Sequence, residues 1–156
     1  MLLKEKKYPS ISICITSYNS EKYISRAINS AINQSIKIDE IIIVDDNSSD
    51  NSYELIKQFT KKYNFINCFK NDKNYGVGYS RNRLLNLSKS DYVAFFDDDD
   101  YSDPKRVFCQ IKRILDYKRK YGENIKVLCY TSRQLIYENK KKLMQHPIGT
   151  NEKMLN

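Results

Sequence analysis

The sequence predicts a three-layer α/β/α domain built on a mostly parallel sheet. Three observations carry this prediction. Apolar runs of strand length alternate with stretches of helical periodicity along most of the chain. Glu40-Ile41-Ile42-Ile43-Val44-Asp45 is a continuous β-branched run, the mark of a strand buried on both faces, as parallel strands are. Tyr92-Val93-Ala94-Phe95-Phe96 is a second apolar run, and it stops on four consecutive carboxylates, Asp97 to Asp100.

Taken in order, Ile11 to Thr16 alternates large apolar and small residues and reads as the first strand, ending in the polar turn Ser17-Tyr18-Asn19-Ser20. A helix follows, with Ser20 as its N-cap and Tyr23, Ile24, Ala27, Ile28, Ala31 and Ile32 on one face at 3.6-residue spacing. After the second strand, Asp50 caps a helix whose apolar positions are Tyr53, Leu55, Ile56, Phe59 and Tyr63. Phe65 to Lys70 is a weaker strand. The loop Asn74-Tyr75-Gly76-Val77-Gly78-Tyr79-Ser80 then leads into a short helix through Arg81, Leu84, Leu85 and Leu87, and the strand Asp91 to Phe96 follows. Beyond the acids, Asp103-Pro104 starts a helix striped by Val107, Phe108, Ile111, Ile114 and Leu115, which Tyr121-Gly122 closes. Lys126 to Thr131 reads as a fifth strand, and Gln134 to Glu138 with Lys142 to Gln145 as a hairpin turning at residues 139–141. Strand and helix thus alternate as β-α-β-α-β-α-β-α-β, with right-handed crossovers expected.

At 156 residues and 40% hydrophobic, the chain is long enough for one domain with a core, and the expectation is a single domain over 1–156. The net charge of +8 suits an anionic ligand, an anionic membrane face or nucleic acid. Much of the excess sits in short Lys clusters, which are usually solvated. No aromatic and basic residues interleave as in a nucleic-acid module, so no nucleic-acid partner is expected. Cys14, Cys68, Cys109 and Cys129 lack metal-binding spacing and read as buried free thiols. Nowhere is there an apolar run of the roughly 18 residues that read as a membrane span, so the expected location is cytoplasmic. Peripheral attachment through the Lys clusters is compatible with this, but weak without a second anchor.

In such a fold Thr16 to Asn19, Asp45 to Ser49 and Asp97 to Asp100 fall at one edge of the sheet, where open α/β sheets bind ligands. Four adjacent like charges repel, and a divalent cation would relieve them. Mg²⁺ or Mn²⁺ takes hard oxygen ligands and is commonly shared between one or two carboxylates and a ligand's phosphates. Extended-chain alternation would place Asp97 and Asp99 on one side of the strand end. A general acid and base pair is the weaker reading, because neighbours on one loop seldom oppose each other across a scissile bond. Asp46 can accept from a base's imide N–H, cap the Asp50-region helix through its loop, or do both. Arg81, at a helix start after Asn74-x-Gly76, can hold phosphate or stand as a surface arginine.

The motifs Ile13-Cys14-Ile15-Thr16-Ser17-Tyr18-Asn19, Glu40 to Asp50, Asn74-x-Gly76 with Ser80-Arg81-Asn82, and Phe95-Phe96 followed by Asp97 to Asp100 resemble, in that order, those of family 2 glycosyltransferases with the GT-A fold. The resemblance covers residues 9 to 115. It implies a nucleotide-sugar donor, commonly a UDP-sugar, bound with Mn²⁺ or Mg²⁺, and inverting transfer to a glycan or other acceptor. It implies that Thr16 and Tyr18 line the nucleoside, that Asp46 contacts the base, and that Asn74 and Arg81 lie near base or phosphate. Asp97 and Asp99 match the D-x-D pair, with Asp99 the expected metal ligand and Asp97 or Asp98 nearer the ribose. One departure stands out. Inverting members carry a carboxylate base further along, whereas here Glu138 and Glu152 are the only acids after Glu123, neither in the expected setting. The acceptor-binding segment looks missing and the base is not identified. The alternative reading is therefore a nucleotide-sugar-binding module that is non-catalytic or works with a partner or a missing C-terminal region.

Overall fold

The computed structural model describes residues 8–131, 133–137 and 140–144. The chain divides into two compact units, Met1–Phe108 and Cys109–Asn156. The first contains β1 (Ile11–Ser17), α1 (Ile24–Ile32), β2 (Glu40–Asp45), α2 (Ser52–Lys62), β3 (Ile66–Lys70), α3 (Val77–Leu87) and β4 (Tyr92–Asp97). Helix α4 (Arg106–Tyr121) begins in it and runs into the second unit, which also holds β5 (Arg133–Tyr137) and β6 (Lys140–Met144), an antiparallel pair.

The four strands of the first unit are all parallel, in the order β3-β2-β1-β4. The Ile and Val run of β2 is buried along its length, as its unbroken apolar character requires. Pleating divides the core between the two faces of the sheet. On one face Cys14, Ile42 and Val44 pack with Leu84 of α3, flanked by Phe69, Leu87, Val93 and Phe95. The alternate residues Ile13, Ile15, Ile41 and Ile43 are fully buried on the other face. That face is the one left to α1 and α2, which pack against each other. The chain therefore runs β1 to β2 to β3 in one direction, then crosses back through α3 to place β4 on the far side of β1. The order reverses between β1 and β4, and such a switch point opens a crevice at the strands' carboxyl ends.

The expected elements are present with several differences. Ser20 does not cap α1 with its side chain: its hydroxyl lies 2.9 Å from that of Ser17, and its carbonyl accepts from the Tyr23 and Ile24 amides in a turn before the helix. Tyr23 in consequence stands outside the apolar stripe, 46% exposed. Residues 126–131 form no ladder, although Val127 and Cys129 are half-buried between exposed neighbours. Their two-residue periodicity reports one sheltered side, which an extended segment acquires without a strand partner. The hairpin's strands start one and two residues earlier than in its sequence pattern, with Tyr137 opposite Lys140, and its connection lies outside the described residues. Helix α4 ends at Tyr121, as expected, where Gly122 takes φ +115°. Among the described residues no helix is long and apolar enough to cross a membrane.

Candidate functional site

Parallel pairing sets Thr16 opposite both Val44 and Asp97, and Ser17 opposite Asp45, so the three polar strand ends meet at one edge. A cleft of about 230 Å³ opens there, lined among others by Thr16, Tyr18, Asp46, Asn74 and Asp98. Five of the sequence-predicted residues are thereby brought together. Ser17, Gly76, Val77 and Ser80 complete the lining.

Asp46 is buried, and its position follows from a backbone bond: its amide donates to Ser17 O at 2.8 Å. Its carboxylate turns toward the loop after β3. Oδ1 accepts from Asn71 Nδ2 and from the Tyr75 amide at 3.1 Å, and Oδ2 from the Gly76 amide at 2.7 Å. Burial pushes this acid up, but the bonds from Asn71, Tyr75, Gly76 and Ser80 outweigh it and hold the carboxyl below its usual value. The bond at the start of the Asp50-region helix, the other role open to Asp46 in the sequence, falls instead to Asp50, whose Oδ1 accepts the Ser52 amide at 2.9 Å, while Asp45 closes the loop by accepting from Ser48 N at 3.0 Å and Ser48 Oγ at 2.5 Å. Asn74 Oδ1 takes the Gly76 amide at 2.9 Å, and Gly76 sits at φ +86°, where a side chain would be strained.

The acid run does not continue the strand. Asp97 ends β4 and the chain turns at Asp98 and Asp99, the Asp100 amide reaching Asp97 O at 3.4 Å. Alternation, which assumed extended backbone, therefore does not govern the four side chains. Asp98 Oδ2 accepts from the Tyr18 amide at 3.0 Å, joining the β1 and β4 loops. Burial pushes the Asp98 carboxyl up, reinforced by the Asp99 charge and opposed by bonds from Ser20 and Tyr18. Arg26 donates to the Asp99 carbonyl, and the Asp99 residue is exposed. Arg81 pairs with Asp97 at 2.9 Å, its guanidinium 5.8 Å from the Phe95 ring, because both side chains project from the α3 face.

Among the described residues no three His, Cys, Asp or Glu side chains converge as an ion-binding cage. A hard cation that draws most of its ligands from phosphate and water needs only one or two carboxylates. Exposed Asp97 and Asp99 supply oxygens of that kind, so the donor set fits such an ion.

Two residues escaped the sequence reading. Asn71 is buried beyond the end of β3, gives Nδ2 to both Asp46 and Ser80, and accepts from Arg83. Arg106 donates to Phe95 O at 2.8 Å and packs 4.4 Å from the Phe96 ring, bracing the strand that carries the acids. A polar residue directly after a strand was the available signal for Asn71, but β3 itself was weak.

The model of the glycosyl transferase family 2 matches residues 12–144. An uncharacterized glycosyltransferase of Methanocaldococcus jannaschii is 37% identical over 113 residues, covering 71% of this chain and 39% of the relative. The cholesterol galactosyltransferase of Borreliella burgdorferi is 34% identical over 119 residues, covering 76% of this chain and 31% of the relative. This chain thus spans well under half the length of either relative. Among solved structures, a mannosyltransferase of Pyrobaculum calidifontis in complex with GDP-Man and Mn²⁺ superposes with a TM-score of 0.64 at 16% identity, over 69% of this chain and 32% of that one. Residues 1–349 of S. aureus TarS in complex with UDP-GlcNAc superpose at 0.60 and 23% identity, over 81% and 40%. These similarities place the fold among GT-A glycosyltransferases. Because the match runs through every strand that builds the cleft, the chain belongs to glycosyl transferase family 2.

Proposed function

We propose that this domain binds a nucleotide-sugar, a UDP-sugar foremost, together with Mn²⁺ or Mg²⁺, as the donor half of an inverting sugar transfer to a glycan or other acceptor. The observation that carries the proposal is the cleft at the β1/β4 switch point, lined by Thr16, Tyr18, Asp46, Asn74 and Asp98. Two structural neighbours in complex with nucleotide-sugars, one of them also with Mn²⁺, support it.

Thr16 and the half-exposed ring of Tyr18 line the nucleoside. Asp46 meets the base: three donors already occupy its oxygens, and the rotatable Ser80 hydroxyl beside them yields to an imide N–H. Asn74 keeps Gly76 in place, and with it the amide that fixes Asp46. Asp98 holds the Tyr18 backbone and lies nearest the ribose. Asp99 and Asp97 would hold the ion, with Asp99 the principal ligand, while Arg81 offsets the charge of Asp97 and favours a phosphate nearby. The ion, when bound, neutralises charge developing on the diphosphate leaving group. No residue of this chain is assigned as the base for the acceptor hydroxyl.

Titration calorimetry with UDP, with and without Mn²⁺, tests the reading. Binding is expected to need the metal and to weaken by about tenfold or more in Asp99→Ala, the loss of one charge-assisted contact. Absence of UDP binding, or binding indifferent to both metal and substitution, overturns it.

A further inference from the structure

The net charge of the chain is unevenly distributed. Residues 109–156 hold eleven of the 27 Lys and Arg but only four of the 19 Asp and Glu, a net of +7, against +1 for residues 1–108. The boundary is that of the two compact units, so the excess belongs to one of them. Within it, Arg113, Tyr117, Lys120 and Tyr121 recur at the spacing of one helix face. The two tyrosine rings lie with centroids 4.4 Å apart and planes tilted by 40°, the residues are 40% and 46% exposed, and Lys120 Nζ lies 4.8 Å from the Tyr121 ring. The adjoining stripe of the same helix, Val107, Ile111 and Ile114, is buried. In the extended segment that follows, Lys126 is exposed, with Leu128 at 76% and Tyr130 at 75%.

We infer that this second unit is a docking surface for an anionic phospholipid membrane. Cations draw it to the negative leaflet, and exposed tyrosine rings and a leucine in the same unit suit the headgroup boundary, where amphipathic aromatics settle. A single nucleic-acid strand would offer charge complementarity as well, but such strands are held in grooves with bases stacked on separate aromatics. Here the cations and rings lie on the convex face of a helix, the two rings are packed at a tilt against each other, and Leu128 gains nothing from a phosphate backbone. The buried stripe keeps the helix from inserting, so the attachment is superficial and salt-reversible. This inference stands apart from the donor-binding proposal.

Sedimentation of the whole chain with lipid vesicles tests it. Binding to phosphatidylcholine vesicles doped with phosphatidylglycerol is expected at low salt, with none to pure phosphatidylcholine. It should vanish near 1 M salt, where the screening length falls to about 3 Å. The triple variant Arg113→Gln, Lys120→Gln, Lys126→Gln should bind about a hundredfold more weakly, at roughly fivefold per cation near the surface. Lys22→Gln, Lys61→Gln, Lys89→Gln removes as much charge from the first unit and should leave binding within about threefold of wild type, since those cations lie outside the docking surface. Unchanged thermal midpoints show that both variants fold, and the salt titration of the unaltered chain stands without them. Four results each overturn the inference: no binding to anionic vesicles at low salt, equal binding to neutral ones, equal losses in the two variants, or tighter binding of a single-stranded oligonucleotide at the same salt.

Discussion

Asp46 shows how a side chain can be fixed for ligand and for stability by the same bonds. Three donors from Asn71, Tyr75 and Gly76 reach its two oxygens, and they hold its carboxyl below the usual value. A depressed folded-state value means that the unfolded chain binds the proton more readily. The stabilisation is therefore complete above the unfolded value of about 3.9 and is lost as pH falls through the folded one. Asp46→Asn keeps the shape but sets an amide N–H₂ against one of the backbone donors. It should cost about 1–3 kcal/mol in urea unfolding at neutral pH, and the gap to wild type should narrow below about pH 4. A gap that stays constant into acid would show that the carboxylate charge is not what these donors stabilise. The sequence made Asp45-Asp46 conspicuous, but not which carboxylate closes its own loop and which faces the cleft. That choice depends on the register with β1 and on Asn71, 25 residues away.

At the scale of elements, the loops after β1 and β2 are stitched into one unit. Asn19 donates its amide to Ser48 Oγ and accepts the Ser49 amide, Ser20 N donates to Ser52 Oγ, and the Glu21 amide donates to Asp50 Oδ2 while the Glu21 carboxylate accepts the Asn51 amide. Asp50 is the pivot, since Oδ1 takes the Ser52 amide at the start of α2 and Oδ2 takes the Glu21 amide. Asp50→Ala should remove a helix-start bond and a loop-to-loop bond together, costing about 1–2 kcal/mol, or a fall of roughly 2–8 °C in thermal midpoint. An unchanged midpoint would mean that water replaces both bonds at no cost. Local chemistry made Asp50 legible as a helix-start acid because helix starts are short-range, but the N-cap position itself falls one residue later, on Asn51, which makes no side-chain cap bond. Ser20, in an equally good local setting, was drawn to Ser17 and Ser52 instead, a tertiary competition that spacing cannot reveal. The same limit explains residues 126–131: their alternation is real, but a ladder needs a neighbour, and sequence periodicity names none.

For the molecule as a whole, the central sheet was legible because β2 is apolar without interruption and helical stripes separate the runs. Two of its thiols now offer a direct readout of how cooperatively the sheet holds. Burial pushes Cys14 up to about 12, with the Glu40 charge adding to it, and it sits on the face covered by α3. Burial likewise pushes Cys68 to about 12, Asp45 adding and Lys57, Lys70 and Arg83 opposing, and the pleat points it to the other face. Thiolate, the reactive form, is scarce at both sites near neutral pH, whereas Cys109 is exposed on α4. Iodoacetamide labelling read by mass spectrometry should therefore mark Cys109 first under native conditions. In rising urea, Cys14 and Cys68 should become reactive together, at the concentration where the far-ultraviolet signal is lost, because both faces share the same four strands and cannot be uncovered separately. Labelling of Cys68 well before Cys14 would instead show that β3, the edge strand beyond β2, opens while the β1–β2 core and its α3 face remain closed.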